Sequence, residues 1–207
     1  MNIKNKWALI TGASRGIGKE ISKAMAAEGC NLILHSRSIE HTKALAEELK
    51  GVKVFQIEGD LSDVSVAEKI ADEAEKLSGG LDILYNNAAI MTKYRTEYYT
   101  APADEYEISF KVNTIVPILI CNRIIPKMIK RGFGRVINVT SGIKDEPELT
   151  PYAISKAALD KYVFDMEKKL EGTGVCMNLM DPGWLRTDLG GDKAPNAVES
   201  VIPGALV

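Results

Sequence analysis

The chain has 207 residues, room for one sizeable domain and too little for two comfortable ones. A hydrophobic content of 45%, a charged content of 26% and a formal net charge of −2 suit an ordinary soluble globular domain and give no reason to expect nucleic acid or an anionic membrane as partner. No apolar run reaches the roughly 18 residues of a membrane span, the N-terminus lacks a signal-peptide pattern, and a cytoplasmic protein is the default expectation. Cys30, Cys121 and Cys176 are odd in number and widely spaced, which points to reduced thiols and to neither a disulfide framework nor a metal site.

Trp7 to Ile10 reads as a short buried strand, and Ile17, Ile21, Ala24 and Met25 fall at helical spacing. Between them stands Thr11-Gly12-Ala13-Ser14-Arg15-Gly16-Ile17-Gly18. A glycine-rich turn from strand to helix is where backbone N–H groups and the positive end of a helix dipole can hold a diphosphate. Gly12 allows a tight turn, while Gly16 and Gly18, with no Cβ, let a cofactor and the neighbouring strand approach the backbone.

Further strands are predicted at Asn31–His35, Val52–Ile57, Leu81–Tyr85, Arg135–Val139 and Val175–Leu179. Helices are predicted over about 39–50, Val64–Leu77 (with Ser62 or Asp63 as cap), about 102–130 and 151–171. Alternating βα units of this length imply a doubly wound parallel sheet of Rossmann type, at least six strands with helices on both faces, forming a single dinucleotide-binding and catalytic domain over residues 1–207. Ligands of such folds sit beyond the carboxyl ends of the strands.

The second strand ends at His35-Ser36-Arg37-Ser38, near the expected adenosine ribose. NAD-binding chains usually carry a carboxylate there, and this one has none before Glu40. Arg37, with Arg15 on the other side, suits a 2′-phosphate, so the cofactor expected is NADP(H). Asp60-Leu61 and Asn86-Asn87-Ala88-Ala89 close the next two strands at the same edge. Tyr152 and Lys156 are four apart, one turn apart on one helix face. A free tyrosine titrates near pH 10, and a nearby ammonium is expected to lower that value. Ser141, just past the fifth strand, is placed to hydrogen-bond a substrate oxygen, and Asn113 to hold a water joining Lys156 to solvent.

Taken together and in order, these motifs, with Tyr152-Ala153-Ile154-Ser155-Lys156 and Asp181-Pro182-Gly183, resemble the short-chain dehydrogenase/reductase family over nearly the whole chain. The resemblance implies that Tyr152 is the acid/base, Ser141 orients a carbonyl, Lys156 also holds the nicotinamide ribose, and Asn113 completes a proton relay. It also puts Gly12, Ser14, Arg15, Gly16, Ile17, Gly18, Arg37, Leu61, Ala88, Pro182 and Gly183 on the cofactor, with Asp60 and Asn87 at its adenosine end and Thr187 at the nicotinamide carboxamide. Pro182 to Gly191 looks like the carbonyl-reductase branch. The implied activity is interconversion of a small-molecule ketone or aldehyde and its alcohol; the rival reading is a non-catalytic NADP(H)-binding redox sensor or scaffold.

The chain departs from the family pattern in three respects. Ala89 replaces a glycine, Ser141 and Tyr152 are only eleven apart, and the last family strand is absent, so the native polypeptide is expected to continue beyond Val207. Substrate contacts are sought in the loop Ile90–Ala101, with Tyr94, Arg95, Tyr98 and Tyr99, which reads equally as a solvated loop. Trp184 and Leu185 would add apolar walls. Ile118, Ile125, Leu159 and Val163 are expected as an exposed stripe on two long helices, and the resemblance implies that these pair into a homodimer or homotetramer.

Overall fold

The computed structural model describes residues 2–206. Its strands are β1 (Trp7–Ile10), β2 (Asn31–Ser36), β3 (Val54–Glu58), β4 (Ile83–Asn86), β5 (Gly134–Val139) and β6 (Val175–Met180). Among the described residues they form one parallel sheet in the order β3-β2-β1-β4-β5-β6. The chain runs outward from β1 to β3, then crosses back to place β4 on the other flank of β1. That reversal makes the carboxyl ends of β1 and β4 the switch point where such sheets bind ligands.

Both faces of the sheet are covered, and for that reason the central strands read as unbroken apolar runs. Leu9, Ile33, Ile57, Leu84 and Val136 point to one face. There they meet α3 (Val66–Ser78), α5 (Val116–Arg131) and α6 (Thr150–Leu170). Ala8, Ile10, Leu32, Leu34, Ile83 and Ile137 point to the other. That side is closed by α1 (Gly16–Ala27), α2 (Glu40–Glu48) and the last residues of the chain, where Val201 and Ala205 are buried and the Ala205 carbonyl accepts the Tyr85 hydroxyl. The fully buried α5 residues Ile120, Ile124 and Met128 stabilise the fold by about 1.5–3 kcal/mol each through burial alone. Truncating Ile124 to alanine would cost about 2–5 kcal/mol.

The long helix expected over about 102–130 is continuous but not uniform. It comprises α4 (Ala103–Phe110), a π-helical turn at Lys111–Ile115, and α5. Pro117 accounts for an irregularity there. It has no N–H to give the carbonyl four residues back, that of Asn113, and the helix is widened just before it. By length and composition 103–131 would also span a membrane, yet its apolar side is packed on the sheet.

The expected exposed stripe is wrong in its residues. Ile125, Leu159 and Val163 are buried within the monomer, Ile125 as part of the core on this face of the sheet, and Ile118 is half-buried. The apolar side chains left exposed on this layer are Ile115, Ile129, Ile154 and Phe164, the last at 64%. Neither Ser62 nor Asp63 caps α3, although the Asp63 carboxylate accepts the Ser65 N–H at 2.9 Å in the turn before it. Near the end of the described residues Val198–Val201 forms a single 3-10 turn.

Candidate active site

The glycine turn is fastened before it is functional. Thr11 Oγ1 accepts the N–H groups of Asn87 and Ala88 at 3.0 and 3.1 Å and donates to the Tyr85 carbonyl at 3.2 Å. Asn87 Nδ2 donates to the carbonyls of Thr11 (2.8 Å) and Gly12 (3.2 Å). The ends of β1 and β4 are thus stitched together at the switch point. Gly12 takes a φ of +67°, open to glycine at little cost. At Gly18 a Cβ would lie 2.4 Å from the Gly12 carbonyl oxygen and 2.5 Å from Asn87 Nδ2, so α1 can approach the turn only with glycine there. Asn87, expected on adenosine, has both amide hydrogens committed to this fastening; Thr11, whose threefold role no spacing rule announces, shares it.

The donor set fits a dinucleotide diphosphate. α1 starts at Gly16 with no side chain capping its first N–H groups and no acidic residue in its first turn, so the positive helix end is left for an anion. Asp60 and Leu61 follow β3, and the Asp60 carboxyl is held below its usual range by the N–H and hydroxyl of Ser62, with a smaller contribution from Arg37. Arg37 is exposed beside it at the end of β2.

Ser141, Tyr152 and Lys156 are brought together by three consecutive residues at the end of β5, each tied to α6. Lys156 Nζ donates to the Val139 carbonyl at 2.7 Å, the Thr140 hydroxyl donates to the Asp160 carboxylate, and the Ser141 hydroxyl lies beside the Tyr152 phenol. The shortened loop between Ser141 and Tyr152 does not separate them. A 3-10 turn at Pro147–Leu149 and the immediate start of α6 at Thr150 take up the connection.

The charges behave differently from the expectation that Lys156 would lower the Tyr152 phenol. Burial raises the phenol above its ordinary value; the Ser141 hydroxyl opposes this and the Asp181 carboxylate adds to it. The Lys156 ammonium is itself buried and is lowered to about 8 by that burial, against the attraction of Asp160. Asn113, also fully buried, spends its side chain inside the protein. Its Oδ1 accepts the Ile90 N–H at 2.9 Å, and its Nδ2 donates to the Ile90 carbonyl (2.9 Å) and Ser155 Oγ (3.0 Å). Pro117, lacking an N–H, cannot give the Asn113 backbone carbonyl the usual i+4 bond.

Past β6, the Asp181 carboxylate accepts the N–H of Gly142 and of Gly183, both at 2.9 Å, joining the β5 and β6 exits. Residues 182–191 then fold back over the glycine turn. Thr187 Cγ2 stands 3.5 Å from where a Cβ on Gly16 would be, and Asp188 forms a 2.6 Å ion pair with Arg15. Leu185, expected as a pocket wall, is buried in the core below α1 instead and anchors this strap, while Trp184 is exposed and donates its indole N–H to the Gly190 carbonyl at 2.7 Å. In the loop after β4, Tyr94, Tyr98 and Tyr99 are exposed, but Arg95 is turned to Glu105 and is a structural ion pair.

A dinucleotide cradle with a Ser-Tyr-Lys set beside it, on a doubly wound sheet, defines an oxidoreductase architecture. The family model described as short chain dehydrogenase matches residues 6–197, and the chain belongs to that family. It is 34% identical over 195 residues to a short chain dehydrogenase of Pseudocercospora fijiensis, covering 91% of this chain and 62% of that one. It is 32% identical to the 3-oxoacyl-[acyl-carrier-protein] reductase of Aquifex aeolicus, covering 91% and 77% of the two. Among solved structures, a blue fluorescent protein from a metagenomic library in complex with NADPH superposes with a TM-score of 0.87 at 26% identity, over 97% of this chain and 89% of that one.

Proposed function

We propose that this protein is an NADP(H)-dependent oxidoreductase that interconverts a ketone or aldehyde and its alcohol. The carrying observation is the Tyr152–Lys156 pair on α6 with the Ser141 hydroxyl beside the phenol, next to an uncapped helix start suited to a dinucleotide. The bound cofactor supplies the hydride; the protein supplies the proton and the orientation.

With its phenol raised by burial, Tyr152 keeps its proton at neutral pH and can give it to a carbonyl oxygen as that oxygen gains charge. Ser141, held at the end of β5, donates to the same oxygen and fixes its distance from the phenol. Lys156 replenishes the proton balance from behind and offers donors to a ribose. The Asn113 backbone carbonyl holds the water that links Lys156 to solvent, its side chain being engaged elsewhere. Arg37 and the missing ribose-binding carboxylate support NADP(H), as does the NADPH held by the metagenomic relative. A non-catalytic binding module would have no use for the catalytic set. Turnover on a panel of ketones and aldehydes with NADPH, lost in Tyr152→Phe, tests the reading; turnover retained in that variant overturns it.

A further inference from the structure

We infer that Asp188 is a specificity-determining residue: it competes with the cofactor's 2′-phosphate for Arg15, so that a phosphate-bearing cofactor releases the strap 182–191 and a phosphate-free one does not. This inference rests on the NADP(H) reading above, in which Arg15 and Arg37 flank the phosphate. Arg15 is the residue immediately before α1, in the middle of the glycine turn, and its guanidinium is taken by Asp188 at 2.6 Å. It cannot serve a carboxylate and a phosphate with the same N–H groups. Arg37 forms no such ion pair among the described residues, so of the two arginines only Arg15 has a bond to give up.

The pair is built to exchange. Both side chains are 68% exposed, where an ion pair is worth little and a doubly charged phosphate is a stronger partner than one carboxylate. Among the described residues Asp188 is also the only carboxylate bonded to the glycine turn, and its own charge repels an incoming phosphate until it is displaced. What it holds down is specific. Next to it Thr187 accepts the Gly190 N–H on Oγ1 (3.0 Å) and the Gly191 N–H on its carbonyl (2.7 Å), closing a tight turn, and Trp184 is tied to the same turn through Gly190. Leu185 below is buried in the core, and the exposed Arg186 beside it donates to the Ala194 and Pro195 carbonyls at 3.0 and 2.7 Å. Loss of the Arg15–Asp188 bond therefore frees the 187–191 turn without unseating its root, and Trp184 reports the change.

Adenosine 2′,5′-bisphosphate and 5′-AMP, which lack nicotinamide, separate the phosphate from everything else. Calorimetric titration of wild-type protein should show tighter binding of the bisphosphate. Asp188→Asn should tighten the bisphosphate a further two- to five-fold, about the worth of an exposed ion pair, and leave 5′-AMP unchanged. In an Arg15→Ala background the same substitution should do nothing. The bisphosphate, not 5′-AMP, should shift the tryptophan emission of wild type, and Trp184→Phe should abolish the shift. An Asp188→Asn effect that is absent, equal for both nucleotides, or retained without Arg15 overturns the competition while leaving the cofactor preference standing. Equal binding of the two nucleotides by wild type removes the NADP(H) reading and the competition with it.

Discussion

Lys156 Nζ reaches across from α6 to the Val139 carbonyl, 2.7 Å away, on the last residue of β5. That bond holds the buried ammonium at the end of β5, beneath the candidate site. It also leaves the ammonium directed at the sheet, with the Tyr152 phenol governed by burial and by Ser141. The position of the Ser141, Tyr152 and Lys156 side chains is therefore a consequence of how the end of β5 is tied to α6.

Tyr152→Phe removes only the titrating oxygen and should lower kcat by at least a hundredfold, the lower range for a general acid, with the NADPH dissociation constant nearly unchanged. Lys156→Ala should harm both. Stopped-flow turnover beside fluorescence titration of NADPH checks the split.

Arg37→Asp places a carboxylate where the ribose hydroxyls of NAD would want one and a 2′-phosphate would be repelled. The ratio of NADPH to NADH affinities should fall by at least tenfold and approach or pass equality. Equal affinities already in wild type would remove the role given to Arg37.

His35 lies buried at the end of β2 with its Nε2 against the Gly59 carbonyl (3.1 Å), and burial lowers it from 6.5 to about 4. It stays neutral in the folded protein while the unfolded chain takes up a proton below its ordinary value. Stability should therefore fall as pH drops through the window from 6.5 to about 4 and level off beneath it. The span from this residue is about 3 kcal/mol. Urea denaturation across that window should show a flatter slope for His35→Gln than for wild type.

Phe164, Ile154 and Ile115 remain uncovered on the α4–α6 layer. If this layer pairs between copies, as the family resemblance implies, light scattering at micromolar concentration should give at least a dimer, and Phe164→Glu should shift it toward monomer. A monomeric wild type would remove the proposal.

The sheet and its order of elements were legible because continuous apolar runs alternate with helical periodicity, and each strand fell within about two residues of its place. The candidate site residues lie together in the structure because strand ends in such a sheet converge. What side chains do there was less legible. Asn87 and Asn113 read as ligand-facing residues; in the structure the Asn87 amide hydrogens go to the Thr11 and Gly12 carbonyls and the Asn113 side chain to Ile90 and Ser155, partners that sequence spacing does not reveal. Leu185 and the expected stripe failed for a related reason: amphipathic patterns say that a residue is buried, not whether its own subunit does the burying.

Pro117 turns the usual test of a relay residue on its head. Replacing Asn113 would cut three hydrogen bonds that join the β4 exit loop to α6, so lost activity in such a variant would measure collapse of the framework. The informative substitution lies four residues away and touches no polar side chain. Pro117→Ala supplies an amide hydrogen that competes with solvent for the Asn113 carbonyl. A slower, more steeply pH-dependent turnover with unaltered nucleotide affinity would show that proton traffic passes by the main chain.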